Sequence, residues 1–315
     1  MRGFIPRDLS RADHPAGELR NGLPGNTEDK RMSDKTKIEW TNATWNPVTG
    51  CSVVSPGCVH CYAKTLAVGR LAGTPGYPGL SWTPENAAIN VVLHPDRLDQ
   101  PLRWRKPRRV FVCSMGDLFH ELVPDGFIDK IFAAMMLTPQ HTFQILTKRS
   151  ERMAKWMTTQ WGGVGEPWED RGDAVRGATF EVSFMHAIAL PEPWNWPLPN
   201  VWLGTSIENQ RWADERVPLL LQTPAAVRFL SLEPLLGPLP SLDLTGIDWL
   251  IVGGESGQDY RNMDPEWVRD LADRASAADV LLFVKQSAGR FPGKQGNLPD
   301  DLWARKEYPR VVSKG

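Results

Sequence analysis

An α/β fold of parallel strands is what this sequence predicts, on two observations. Short apolar runs recur at Arg109–Ser114, Thr142–Thr147, Val201–Ser206, Val227–Leu232, Asp248–Gly253 and Val280–Lys285, and they read as strands buried on both faces. The stretches between them are long enough for helices, as at Pro124–Leu137, Gln210–Leu221 and Pro265–Ala277. Two of these begin at a proline, whose fixed φ and missing N–H suit a first helical turn. Such alternation argues for a β/α barrel or a doubly wound sheet. A further strand before Cys51 brings the total to about seven.

Taken in order, residues 1–34 are polar, rich in Gly, Pro, Arg and Asp, and read as a mobile extension, with Met32 as an alternative start. Residues 35–290 carry the strand and helix signals and form the expected barrel domain. Inside them, about 160–200 is rich in Gly, Pro and Trp and reads as an irregular insertion or lid. Residues 291–315 read as a C-terminal tail. The 315 residues, 41% hydrophobic, suffice for one large core. With 36 basic against 37 acidic residues the formal charge is −1. That excludes a global field for nucleic acid or an anionic membrane and makes any such binding local. No apolar run has the length of a membrane span and the N-terminus lacks the apolar core of a secretory signal, so a cytoplasmic, membrane-free protein is expected.

Three of the four cysteines, Cys51, Cys58 and Cys61, share one Gly/Pro/Ser-rich loop with the spacing C-x6-C-x2-C. Clustered thiols in a chain too cysteine-poor for a disulfide framework point to a soft metal centre in a reducing compartment. Three thiolates suit a cluster with one open position. Structural zinc usually takes four ligands, often from two C-x2-C knuckles, and a second knuckle is missing here, so zinc is the weaker alternative. Cys113 sits in an apolar run, reads as a small buried hydrophobe and is left out of the ligand set.

The loop resembles the three-cysteine loop of radical S-adenosylmethionine (SAM) enzymes. Their usual spacing is C-x3-C-x2-C with an aromatic residue before the last cysteine; here the first gap is three residues longer and His60 takes the aromatic's place. The segments IEWTNATWNPVTGC, SMGDLFHE, FQILTKRSERM, VWLGTSIENQ, RFLSLEPLLGPL, WLIVGGESG and FVKQ extend the match from about Lys35 to about Gly289. Together they resemble a phage-associated family of three-cysteine proteins of unknown function, often encoded beside a three-Cys-motif partner protein. The resemblance implies a radical-SAM-like partial or complete (β/α) barrel with the cysteine loop after the first strand. It implies a 4Fe-4S cluster on Cys51, Cys58 and Cys61, with SAM at the open iron and an external reductant. The expected reaction is SAM cleavage to methionine and a 5′-deoxyadenosyl radical that attacks a substrate C–H bond. Phage association points to a nucleotide, or a DNA or RNA base, as substrate, and to the three-Cys-motif protein as a partner. No further catalytic residue follows from it.

Polar residues at the carboxyl ends of parallel strands form the working face of this architecture. Ser114 and Asp117 follow one strand and are expected to meet the methionine part of SAM; Lys148 and Arg149 follow the next and suit a carboxylate or phosphate. Ser206, Glu208, Ser231 and Glu233 are candidates for the ribose hydroxyls or the substrate. Gly253, Gly254 and Glu255 end another strand where backbone can approach an adenine, and Lys285 closes the series. The run Arg97–Val110 places six basic residues around Trp104 and reads either as a nucleic-acid contact or as a solvated linker. Trp202 and Trp249 lie in strand patterns and read as core, whereas Trp194 and Trp196 read as ligand contacts. A reading from another class is a non-enzymatic zinc- or iron–sulfur-bound module that binds nucleic acid or a partner protein.

Overall fold

The computed structural model describes residues 36–159, 171–183 and 195–310. The expected N-terminal extension and Trp194 lie outside these residues. Seven parallel strands follow one another in space in the order they follow in sequence. They are β1 (Ala43–Trp45), β2 (Arg109–Val112), β3 (Thr142–Thr147), β4 (Val201–Ser206), β5 (Val227–Leu232), β6 (Trp249–Gly253) and β7 (Leu281–Gln286). A doubly wound sheet reverses its strand order at a switch point. Here there is no reversal, and the sheet curls into a half-barrel with β1 and β7 as its edges.

The described helices that matter for the site are α1 (Tyr62–Val68), α2 (Asp125–Met136), α3 (Ser150–Thr158), α4 (Arg171–Ser183), α5 (Gln210–Gln222) and α6 (Pro265–Ala277). Local chemistry sets their starts. Asn209 accepts from Trp212 N at 3.4 Å to cap α5, and Asp264 accepts from Glu266 N at 3.0 Å to cap α6, whose first residue is Pro265. No helix among the described residues is long and apolar enough to cross a membrane.

Aromatic rings form one cluster of the core. Trp249 is the centre of this cluster, with ring centroids 6.3 Å from Trp40, 6.0 Å from Trp202, 5.7 Å from Phe229 and 6.4 Å from Phe283. Each such pair adds about 0.5–1.5 kcal/mol beyond the apolar area it buries. Trp202 and Trp249 are therefore core, as their strand positions imply. The C-terminal segment is built into the same cluster. Phe283 pairs antiparallel with Lys306, and Tyr308 packs 5.8 Å from Trp249 and 5.1 Å from Phe283.

Two expectations need correction. The segment expected to be irregular contains α4, a thirteen-residue helix that packs against α2. Gly172 and Gly177 weaken its helix signal in sequence, and packing overrides that propensity. Trp196 does not reach the candidate site. It packs 5.9 Å from Phe132 and 6.3 Å from Trp156, in a second aromatic cluster with Phe119.

Gly204 lies in a strand buried at all six positions, and a Cβ there would come 2.5 Å from the Phe229 ring across the sheet. Gly204→Ala is expected to destabilise the fold by about 1–3 kcal/mol through overpacking. The midpoint of urea unfolding measures this, with an unchanged slope.

Candidate functional site

After β1 the chain makes a short antiparallel pair, Val48–Thr49 with Val92–Leu93. It then turns at Gly50, where φ is 81° and the amide donates to Met115 O at 2.9 Å. A side chain at this position would strike Asn90 O at 1.8 Å, so glycine is required to start the loop. Cys51 follows, Cys58 ends the short 3-10 turn Pro56–Cys58, and Cys61 stands immediately before α1.

Three buried polar groups pin this loop. Glu208, fully buried beyond the end of β4, accepts from Ser55 Oγ at 2.6 Å and pairs with Lys148 Nζ and Arg216 Nη1, each at 3.2 Å. Gly57 rests on the same carboxylate, since a Cβ there would lie 2.5 Å from Glu208 Oε1. Arg149, 4% exposed at its side chain, donates to Cys51 Sγ at 3.3 Å, to Ser52 Oγ at 2.9 Å and to Asp117 Oδ2 at 3.1 Å. Its Nε also donates to Glu121 Oε1 at 2.9 Å. Glu255 takes hydrogen bonds from His60 and Arg261, and Arg261 reaches on to Pro56 O at 2.9 Å. Burial works to raise the Glu255 carboxyl, but the Arg261 and His60 hydrogen bonds outweigh it and bring it down to about 2.

These pins turn Cys51, Cys58 and Cys61 to one cavity of about 200 Å³ at the carboxyl ends of the strands. Ser114, Asp117, Lys148 and Arg149 line it on one side, and Ser206, Ser231, Glu233, Gly254 and Glu255 on the other. The two remaining candidates lie beneath the lining. Glu208 sits under the loop, and Gly253 lies under Glu233, whose Cγ and Cδ stand 3.4 Å from where a Cβ would be. Cys113 also lines the cavity, buried, with φ of 57°, a conformation rare outside glycine. That turn ends β2 two residues before the apolar run does.

Burial pushes the Cys51 thiol up to about 12 and also raises Cys61. Both are therefore protonated in the bare protein, and coordination must release those protons. Among the described residues no three His, Cys, Asp or Glu side chains close on a single point as a ready cage for one metal ion. A polynuclear centre asks for a different arrangement, in which each thiolate takes a different iron and the sulfurs stay apart. Three thiols along one cavity wall fit that demand.

Several assignments change on seeing the partners. Asp117 accepts from Thr147 Oγ1 at 2.7 Å, Phe119 N at 3.0 Å and Arg149, so its oxygens serve the protein rather than a ligand. Glu208 is likewise used up inside the fold. The basic stretch is engaged too: Arg97 donates to Asn46 O at 3.1 Å, Arg108 lies over Trp104 at 5.0 Å and Arg109 over Tyr308 at 4.0 Å. Residues with no sequence signal, above all Tyr62, whose hydroxyl donates to Ser114 O at 2.6 Å, and Arg261, complete the site.

A family model described as a protein of unknown function (DUF5131) matches residues 35–302, and the chain belongs to that family. The curated proteins and the solved structures give no match.

Removing the Glu208 carboxylate should leave Arg216 buried and uncompensated. Glu208→Ala is expected to cost about 3–5 kcal/mol in chemical unfolding, and Glu208→Ala with Arg216→Met to recover part of it. Equal losses in the single and double variants would show that the pair is not coupled.

His94 supports the strand pair that precedes the loop. Thr49 donates its one hydroxyl proton to Gly76 O at 2.9 Å, so at 2.8 Å His94 Nε2 carries the proton and donates to Thr49. Burial, reinforced by Arg97, pushes His94 down to about 4. A histidine in an unfolded chain titrates near 6.5, so this contribution is complete above that pH and is lost as pH falls toward about 4. Stability should drop by up to about 3 kcal/mol across that window, and His94→Gln should flatten the dependence in unfolding curves taken at several pH values.

Proposed function

We propose that this protein is a radical SAM enzyme, with a 4Fe-4S cluster on Cys51, Cys58 and Cys61 and SAM in the cavity they line. One observation carries the reading: three thiols on the loop after β1 face one cavity at the carboxyl ends of parallel strands in a half-barrel. When bound, such a cluster supplies the electron that cleaves SAM to methionine and a 5′-deoxyadenosyl radical.

The chain's own residues do the positioning. Arg149 orients Cys51 through its Nη1 hydrogen bond and, with Lys148 and Arg216 nearby, offsets part of the negative charge that bound thiolates bring. Ser55 lies 3.8 Å from Cys58 Sγ and is held by Glu208. Tyr62 is tethered to Ser114 O and lines the cavity beside Cys61. The aromatic cluster with Trp40 and Phe111 meets the cavity wall and limits water on that side. A nucleotide or nucleic-acid base is the proposed substrate class, in keeping with the resemblance to phage-associated proteins, and a three-Cys-motif protein the proposed partner.

The test is loading and turnover. Anaerobic reconstitution should give about four irons per chain, Cys58→Ala should abolish loading and Cys113→Ala should leave it nearly intact. The reduced wild-type protein should then release 5′-deoxyadenosine and methionine from SAM without substrate, measured by chromatography. Loading indifferent to the loop cysteines, or one zinc per chain with no iron, would overturn the assignment.

A further inference from the structure

The charged groups around the cavity fall into two kinds. Arg149, Glu208 and Glu255 are committed to the cysteine loop and to each other's neighbours, as described above. Glu233 and Lys285 are not. Glu233 follows β5, Lys285 lies in β7, and they meet across the end of β6 as an ion pair. Both line the cavity and both remain partly open to it, with side-chain exposures of 21% and 17%.

Among the described residues the Lys285 ammonium donates to Glu233 Oε1, and this is the side-chain hydrogen bond of each. The pair is therefore only partly satisfied. Oε2 of Glu233 retains its acceptor capacity, and Lys285 retains two of its three protons. A free acceptor stands beside free donors in a cavity whose apolar lining includes Ile38, Trp40, Phe111 and Leu146. Polar groups left half-paired on a cavity wall gain most from a ligand that satisfies both at once.

We infer that Glu233 and Lys285 recognise the lactam edge of a nucleobase, the adjacent ring N–H and carbonyl found in uracil, thymine and guanine. Lys285 donates to the carbonyl oxygen, and Glu233 accepts from the ring N–H. The planar ring lies against the apolar wall, where flat heteroaromatic faces are favoured over flexible amides. Cytosine and adenine can turn an amino N–H and a ring nitrogen to the same pair, so the discriminating change is methylation of the uracil ring nitrogen, which removes the N–H that Glu233 accepts. This rests on the reading of the cavity as the reaction site and narrows its substrate class to bases with a lactam edge. Of the two roles the sequence offers Glu233, ribose or substrate, it selects the substrate.

The experiment is equilibrium binding by calorimetry or ligand-observed NMR, using uridine and 3-methyluridine with the full-length protein as isolated and again after reconstitution. Uridine should bind in both states, and 3-methyluridine about tenfold or more weaker, because it leaves Glu233 unpaired. Glu233→Gln and Lys285→Met should each weaken uridine by a similar factor. Uridine binding that is absent at millimolar concentration, or that tolerates the 3-methyl group, overturns the inference on the wild-type protein alone, whatever the variants do. Binding with the expected selectivity in a protein that never loads iron would uphold this site and sink the radical SAM reading. Iron loading and SAM cleavage without uridine selectivity would do the reverse.

Discussion

A carboxylate with no solvent exposure decides where the cysteine loop lies. Glu208 holds Ser55, has Gly57 resting on it, and draws in Lys148 from the end of β3 and Arg216 from α5. An unpaired buried charge costs several kcal/mol, so none of these groups can leave without stranding another. The loop is otherwise a Gly/Pro/Ser-rich strip with little intrinsic structure, and its conformation is imposed by what it covers. Arg149 and Glu255 apply the same constraint at the loop's two ends. The result is a rigid path for three thiols that local propensity alone could not produce.

The sheet supplies the other half of the arrangement. Parallel strands in sequence order bring every carboxyl end to one rim, and the aromatic cluster around Trp249 packs within the core. Polar residues at that rim then divide by partner. Asp117, Glu208 and Arg149 are spent on structure, while Glu233 and Lys285 keep unused hydrogen-bonding capacity toward the cavity. The distinction separates the groups that build the site from those free to read a ligand.

The strands and the rim were legible in sequence because buried parallel strands are uninterrupted apolar runs and their ends are marked by Ser, Thr, Glu and Lys. The roles of the carboxylates were not. Asp117 and Glu208 read in sequence like ligand-binding acids, and only their partners from β3 and α5 show that they are buried ties. Arg261 gave no signal because its contact with Pro56 spans two distant segments. Trp196 misled because a tryptophan in a Pro-rich stretch looks the same whether it packs on Phe132 or faces a ligand. Helix α4 was hidden by its two glycines.

Electron paramagnetic resonance of the reduced, iron-loaded protein with and without SAM tests the central claim most directly. If the three loop thiols hold a cluster with one open position on the cavity, SAM should shift the g-values of the reduced signal, and Cys51→Ala should remove the signal itself. A reduced cluster whose spectrum is identical with and without saturating SAM would contradict the account.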